Sequence, residues 1–384
     1  MHYDFPIINT IDDVLPHIEG RDEFNVMYKD GYTVINYMVA FEETFSWDSN
    51  DPVGSSIRRE CRGITFDESG KLICRKYHKF FNVNEKEETQ INKVNLYEPH
   101  VVLEKLDGGQ ISTQPTKDGF VLVTKAGVTE ISQQAEDFIN DKSHYSTFIH
   151  KCFQRNVTPL FEWCSRKNRI VVDYPEDQLI LTGMRYNDTG KYIQYKTMVD
   201  YATAWGIPVV KAVDGLSVQN IDLFVNQVRE WDDGEGVIIR FDSGHMVKVK
   251  SADYVLRHKT KDQINQEKNV ISIILNDSVD DLVPLLTETD ATRLKDFQHA
   301  FWISIEDVAT DIYDLYKSID NGQSQKDFAL YGVPSVLPKY QPFMFQLRAG
   351  KSVKELIVNK LSKSLSTQTK VDENRWLFGG ISWN

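Results

Sequence analysis

From about residue 31 to residue 259, apolar and polar positions alternate in short runs separated by turn residues. Tyr32-Thr33-Val34-Ile35-Asn36-Tyr37 alternates and is rich in β-branched side chains, and His100-Val101-Val102-Leu103-Glu104 reads as a further strand. Three segments predict hairpins: Gln110 to Gly127 turning at Lys117-Asp118-Gly119, Leu179 to Lys196 turning at Asn187-Asp188-Thr189-Gly190, and Gly236 to Lys250 turning at Asp242-Ser243-Gly244. Each turn has Asp or Asn ahead of Gly, residues that tolerate positive φ. Helices are expected at about 129–153, at 196–205 before Gly206 and Pro208, and at 220–231. After about residue 260 the apolar spacing changes to three and four. Val270 to Leu286, Ala291 to Ile319 and residues 351–364 predict helices, and acids separate the apolar positions of the first two. The pattern divides the chain into a strand-rich part, 1–259, and a helical part, 260–384.

Composition sets the class. The chain has 384 residues, 41% hydrophobic and 26% charged, the balance of a globular protein with two or three domains. No apolar run approaches the roughly 20 residues a membrane span needs. Met1-His2-Tyr3-Asp4-Phe5-Pro6 has neither the basic nor the apolar region of a secretory leader. Cys61, Cys74, Cys152 and Cys164 form no CxxC pair and suit a reducing, cytosolic compartment. The net charge of −12 argues against non-specific coating of nucleic acid but leaves room for a local basic cleft. Its distribution is uneven: residues 260–330 carry 6 positive and 14 negative charges, whereas residues 331–384 carry 8 and 3.

Most standard catalytic motifs are absent; Gly350-Lys351-Ser352 lacks the upstream glycine of a P-loop, Phe345 standing in its place. Glu104-Lys105-Leu106-Asp107-Gly108-Gly109 puts a lysine at a strand end, ahead of turn glycines that let backbone approach a phosphate. A lysine becomes nucleophilic when desolvation or neighbouring cations depress its pKa. Alone, the segment is equally a surface lysine before a hairpin. Further along come Phe161-Glu162-Trp163, then Glu235-Gly236-Val237-Ile238-Ile239, then Val247-Lys248-Val249-Lys250. Period-2 alternation places Lys248 and Lys250 on one strand face, where a triphosphate would be a fitting partner if that face is buried.

These four elements, in this order, resemble the nucleotide-binding motifs of the covalent nucleotidyltransferases, the superfamily of ATP-dependent ligases and mRNA capping enzymes. Arg59-Glu60-Cys61-Arg62-Gly63-Ile64-Thr65-Phe66, Lys79-Phe80-Phe81-Asn82-Val83-Asn84-Glu85, Lys125-Ala126-Gly127, Lys167-Asn168-Arg169-Ile170-Val171 and Ser251-Ala252-Asp253-Tyr254 narrow the resemblance to the phage T4-type RNA ligase 1 family, over about residues 30–285. Gly109 departs from a usual serine, and Trp163 from a smaller aromatic. The resemblance implies an α+β protein, an antiparallel-sheet nucleotidyltransferase domain followed by an all-helical C-terminal domain that selects RNA. It implies an ATP- and Mg²⁺-dependent ligase of RNA, nicked tRNA or single-stranded ends, acting in the cytoplasm (a host's, if phage-encoded), with no obligate protein partner. By resemblance Lys105 takes AMP, and Glu162 holds the ribose. Glu235 and Asp280 serve the metal, and Lys248 and Lys250 bind the α-phosphate. Tyr37, Arg62 and Lys79 hold the triphosphate tail, while Lys125 and Tyr254 serve ligation. The physics agrees, since displacing pyrophosphate from an anion needs cations around the equatorial oxygens, and an arginine fork such as that of Arg62 bonds two of them. A DNA ligase or a capping enzyme would carry a strand-rich OB-fold after the lysine pair, which the helical pattern opposes. An idle RNA-binding module would have no use for every reactive residue.

Overall fold

The computed structural model describes residues 5–41, 43–217 and 219–383. Residues 1–4, which carried most of the leader reading, lie outside them. The chain forms two compact units, Met1–Val255 and Leu256–Asn384, dividing inside the helix Ala252–Ile264 rather than at residue 260.

The first unit holds three four-stranded sheets. One is the meander β1 (Phe24–Lys29), β2 (Tyr32–Tyr37), β3 (Arg62–Asp67) and β4 (Leu72–Cys74). The other two use β5 (Phe81–Asn82), β6 (His100–Glu104), β7 (Gly109–Thr116), β8 (Gly119–Val123), β9 (Val157–Cys164), β10 (Gln178–Tyr186), β11 (Gly236–Phe241) and β12 (Met246–Lys250). Their orders are β10-β9-β7-β8 and β5-β12-β11-β6, antiparallel throughout except where β5 meets β12. The chain leaves β6 in the third sheet and enters β7 in the second through Lys105–Gly108, so the candidate nucleophile sits at the crossing between two sheets.

Alternation along β11 explains which residues face the site. Val237, Ile239 and Phe241 pack into a core with Phe224, Val225 and Val228 of the helix Ile221–Arg229. Gly236, Ile238 and Arg240 take the opposite face. The register pairs Gly236 with Lys250 and Ile238 with Lys248, which carries both lysines to that face. The second sheet is covered by helices: Phe148 and Ile149 from Ser143–Phe153, and Met198 and Ala202 from Tyr195–Thr203, pack on Phe161 and Leu181.

Three expectations need correction, and one helix was not foreseen. The helix expected from Val270 to Leu286 stops at Leu275, and a short helix, Val279–Leu282, follows. The helix expected at 129–153 is two, Glu130–Ile139 and Ser143–Phe153, parted at Asn140-Asp141, residues whose side chains favour turns. The hairpin expected from Leu179 to Lys196 has only its outgoing arm, β10, which pairs with β9. The return makes a single bridge, Tyr192 to Arg185, because the Arg75 guanidinium holds the Asn187 and Asp188 carbonyls (3.0 and 3.3 Å), and the Tyr192 hydroxyl meets His78 Nδ1 at 2.9 Å. The helix Pro52–Glu60 was not foreseen, although its start was legible: Pro52 occupies the first turn, and Asp51 caps it, accepting from the Gly54 N–H at 2.9 Å.

The second unit is helical throughout its described elements, around the 32-residue helix Glu288–Ile319. Leu294, Phe301, Ile305 and Ile312 form its buried stripe and meet Val270, Ile274, Ile357 and Phe378. Glu267 ties down the end of the chain, taking both Arg375 terminal nitrogens at 2.6 Å and the Trp383 N–H at 3.0 Å.

Candidate active site

The sheets of the first unit enclose a cavity of about 340 Å³. Tyr37, Arg62, Lys79, Lys105, Glu162, Lys248 and Lys250, seven residues singled out in the sequence, line it.

Lys105 is fixed by its own backbone, whose N–H donates to the Gly236 carbonyl at 2.8 Å. Its Nζ reaches Glu235 Oε2 at 2.5 Å, and Lys250 Nζ reaches Glu235 Oε1 at 2.9 Å, so one buried carboxylate spans two lysines. Glycine is required at 236: φ is +134°, and an added Cβ would stand 2.1 Å from the Val249 carbonyl oxygen. Lys248 Nζ lies 5.2 Å from the Phe80 ring centre. Burial, reinforced by the positive charges of Lys79 and Lys105, pushes its pKa down to about 7. Burial pushes Glu162 the other way, up to about 7, against the pull of Lys105 and with help from the charge of Glu235. The site therefore holds an amine and a carboxyl that both change charge near neutrality.

Asp107 acts through neighbouring chain. Its Oδ2 accepts from the Val171 and Val172 N–H groups, both at 2.8 Å, and its Oδ1 accepts from the Tyr254 hydroxyl at 2.7 Å. The aspartate of Lys-x-Asp-Gly is thus a clamp between the turn after the nucleophile, the 171–172 loop and the segment after β12. A Cβ on Gly108 would sit 2.4 Å from the Trp163 carbonyl oxygen and 3.1 Å from Glu162 Cγ, so the turn approaches β9 as closely as backbone allows. At Gly109 it would meet the Ile131 Cγ2 methyl at 2.8 Å, so a larger residue there needs that exposed side chain to move.

A second group surrounds Tyr37. Lys125 Nζ stands 4.2 Å and Lys79 Nζ 5.3 Å from its ring centre. Burial raises the Tyr37 pKa, but Lys79, Arg62 and Lys125 together outweigh it and hold the phenol below its ordinary value. Gly63, at φ +84°, lets β3 pass against the backbone of Lys125, 2.6 Å from where its Cβ would lie. The buried Lys76 ammonium donates to the Gly63 carbonyl. Lys125, expected to serve ligation, thus stands against Tyr37 without being a cavity-lining residue.

Tyr254 is buried and not a cavity-lining residue. Asp280 is exposed in the first turn of Val279–Leu282, in the second unit. Among the described residues, no group of three or more His, Cys, Asp or Glu could hold a metal ion. A single carboxylate such as that of Glu235 still suits Mg²⁺, which keeps several waters and typically takes one or two carboxylates together with substrate phosphates.

Sequence reasoning missed part of the wall: Tyr77, His78, Gln110, Thr182 and Arg240. Gln110 was within reach, since it follows the motif by one residue. It stands opposite Glu162 in the β7–β9 register, and its buried Oε1 has no hydrogen-bond partner.

Comparison with known proteins agrees with this geometry. A family model described as RNA ligase matches residues 60–264, more than half of the chain, and one described as T4 RNA ligase 1, C-terminal domain, matches residues 261–371. The chain is similar to a Thermovibrio ammonificans protein whose name proposes an RNA ligase, 26% identical over 335 residues that cover 83% of this chain and 84% of the relative. Among solved structures it resembles an archaeal ATP-dependent RNA ligase (TM-score 0.46, 12% identity, 65% of this chain and 64% of that one). It also resembles the Naegleria gruberi RNA ligase with PPi (TM-score 0.40, 14%, 48% and 58%). The chain spans 58 to 66% of the length of the solved structures it matches here. With TM-scores below 0.5, the family assignment rests on the sequence models alone.

Proposed function

The chain belongs to the RNA ligase family whose model spans residues 60–264, and from that premise we propose that it is an ATP-dependent ligase working through a lysyl-AMP at Lys105. The observation that carries the reading is the sharing of Glu235 by Lys105 and Lys250, at 2.5 and 2.9 Å, beside a cavity lined by Tyr37, Arg62, Lys79 and Lys248. In the first step the Lys105 amine attacks the α-phosphorus of ATP, a phosphoramidate bond forms, and pyrophosphate leaves. Glu235 Oε2 is within hydrogen-bond reach of the ammonium that must shed its proton. Lys248 and Lys250 neutralise charge on the α-phosphate oxygens, while Tyr37, Arg62 and Lys79 hold the departing pyrophosphate. Glu162 takes the ribose hydroxyls. In the next step an RNA 5′-phosphate displaces Lys105 from AMP, and an RNA 3′-hydroxyl then attacks the activated end and releases AMP.

Mg²⁺ would be held by Glu235 with phosphate oxygens, and it would supply charge neutralisation on the phosphates. We further propose nicked tRNA as substrate, the second unit (residues 260–384 in the sequence division) selecting it. The match to a C-terminal RNA ligase domain, where a DNA ligase would carry a β-barrel, supports that reading. Two of the basic-segment lysines are engaged within the unit: Lys354 pairs with Glu306 over the Trp302 ring, and Lys360 lies 5.7 Å from the Trp376 ring centre. Lys351 and Lys363 are exposed.

The test is incubation with α-labelled ATP and Mg²⁺, followed by nicked tRNA, linear RNA and nicked DNA in parallel. The wild-type protein should take up acid-labile, base-stable label, and Lys105→Ala should take up none. Label retained by Lys105→Ala would sink the assignment, and equal sealing of linear RNA and nicked tRNA would remove the tRNA proposal alone.

A further inference from the structure

Two buried arginines of the first unit, Arg75 and Arg185, are fully engaged. Arg75 and Arg185 share the Glu60 carboxylate, and their remaining donors go to backbone carbonyls. Arg240 is different. It is 5% exposed, one terminal nitrogen donates to the Ile193 carbonyl, and the guanidinium lies 5.3 Å from the Tyr192 ring centre. Among the described residues it makes no salt bridge with a carboxylate, and its Nη1 is buried with no hydrogen-bond partner. A buried charged donor left unmet is destabilising unless a ligand meets it.

Register locates the residue, which lines the cavity of the candidate site and also a second one that includes Tyr192. Gly236, Ile238 and Arg240 share the cavity face of β11, opposite Lys250, Lys248 and Met246 of β12. Arg240 therefore lies four residues, roughly 13 Å at about 3.3 Å per residue, from the rung where Lys105 and Lys250 would grip the phosphate. A nucleotide with its α-phosphorus at Lys105 and its sugar at Glu162 extends along this face past Ile238. Its base, not its phosphates, then reaches the end walled by Tyr77, Thr182, Met246 and Arg240. Adenine offers a guanidinium only its ring nitrogens as acceptors.

We propose that Arg240 is a specificity-determining residue that reads the purine base, Nη1 donating to a ring nitrogen of adenine. The inference rests on the ATP reading above and adds to it a side-chain contact to the base. The test is formation of the lysyl adduct from ATP and from 1-deaza-, 3-deaza- and 7-deaza-ATP, in wild type, Arg240→Met and Arg240→Lys. Wild type should lose roughly tenfold to a hundredfold in kcat/KM, chiefly through KM, with one analogue. Arg240→Met should lose a similar factor with ATP yet no longer distinguish that analogue from ATP. Arg240→Lys, which keeps the charge but loses the fork, should do the same. A wild-type enzyme indifferent to all three analogues overturns the proposal without any variant. An equal further loss with ATP and every analogue in both variants overturns it too, because it would assign the guanidinium to phosphate or to folding. Failure of the ATP reading would look different: no adduct from ATP in the wild type.

Discussion

The first unit contains two buried ionic clusters made from the same residue types with opposite results. In one, Glu60 is closed on all sides: Arg185 grips both carboxylate oxygens at 2.6 and 2.7 Å, Arg75 adds contacts at 3.1 and 3.2 Å, and all three side chains are essentially inaccessible. The spare guanidinium donors reach the carbonyls of Pro6, Lys76, Asn187 and Gly190. In the other, six cations line a cavity with two carboxylates, Glu104 and Glu162, while Glu235 joins two of the lysines. The closed cluster is complete without a ligand, whereas the open one carries excess positive charge that a triphosphate would neutralise. The pKa directions make the same distinction. Burial raises Glu60, but Arg185 and Arg75 overcome it and hold the carboxyl down to about 2, while Glu162 is pushed up and Lys248 down until both titrate near 7. A paired buried charge is costly to strip of its partner, and charge that is left for a substrate costs stability in the free protein.

The comparison breaks most sharply at Glu60. Glu60→Gln leaves two buried guanidiniums without a counter-charge, and should destabilise the first unit by about 3–5 kcal/mol. That is a fall in Tm on the order of 10 °C. Because the folded-state pKa of Glu60 lies below its ordinary 4.5, the wild-type contribution is full above pH 4.5 and is lost as pH falls toward 2. Thermal melts of wild type and Glu60→Gln should therefore converge in acid. A variant that melts with the wild type at pH 7 would show that the closed cluster does not hold the sheets together.

Lys248 should give the reverse sign. Lys248→Met removes an under-compensated, half-buried cation, and should abolish adenylation while raising stability at pH 7 by about 1–4 kcal/mol. Here the folded-state pKa, about 7, lies below the ordinary 10.5, so between those values the unfolded chain binds the extra proton and wild-type stability rises with pH. The advantage of Lys248→Met should accordingly shrink from pH 7 toward pH 10.5. Glu162 contributes oppositely: its folded-state pKa is raised, so its share of stability is full below 4.5 and is lost as pH rises through 7. A loss of stability in Lys248→Met at pH 7 would mean that the lysine is paired after all.

How much of this was legible in the sequence depends on distance along the chain. Lys105, Glu162, Glu235, Lys248 and Lys250 sit in short strand-local motifs, and alternation alone assigns the two lysines to one face. The closed cluster was invisible because Glu60 meets Arg75 across 15 positions and Arg185 across 125, and no local pattern marks such a pairing. Arg240 escaped for a related reason. Its strand was recognised, but which alternate positions face a cavity follows from the sheet laid across it. The return arm after Asn187 was misread because turn chemistry was read correctly, while the competing guanidinium of Arg75 lay more than a hundred residues upstream.

The smallest effect expected is at Tyr254, which touches both halves of the comparison: a buried group beside the open cluster but bonded like the closed one. Its hydroxyl donates to Asp107 at 2.7 Å, and its ring lies 5.1 Å from Lys250 Nζ. Tyr254→Phe keeps the ring and removes one of three bonds that the Asp107 carboxylate accepts among the described residues, the two from Val171 and Val172 remaining. The cost should be about 1 kcal/mol in stability. Lys105 is held independently by the Gly236 carbonyl, so adenylation should fall less than tenfold. Sealing of pre-adenylated RNA should fall by a similar factor, because a loosened clamp affects every step alike. The family resemblance suggested a part in ligation itself, and single-turnover rates for the two steps, measured beside the melting curve, decide between these roles. A loss above a hundredfold confined to sealing, with an unchanged Tm, would place the hydroxyl at the reacting RNA end instead of in the clamp.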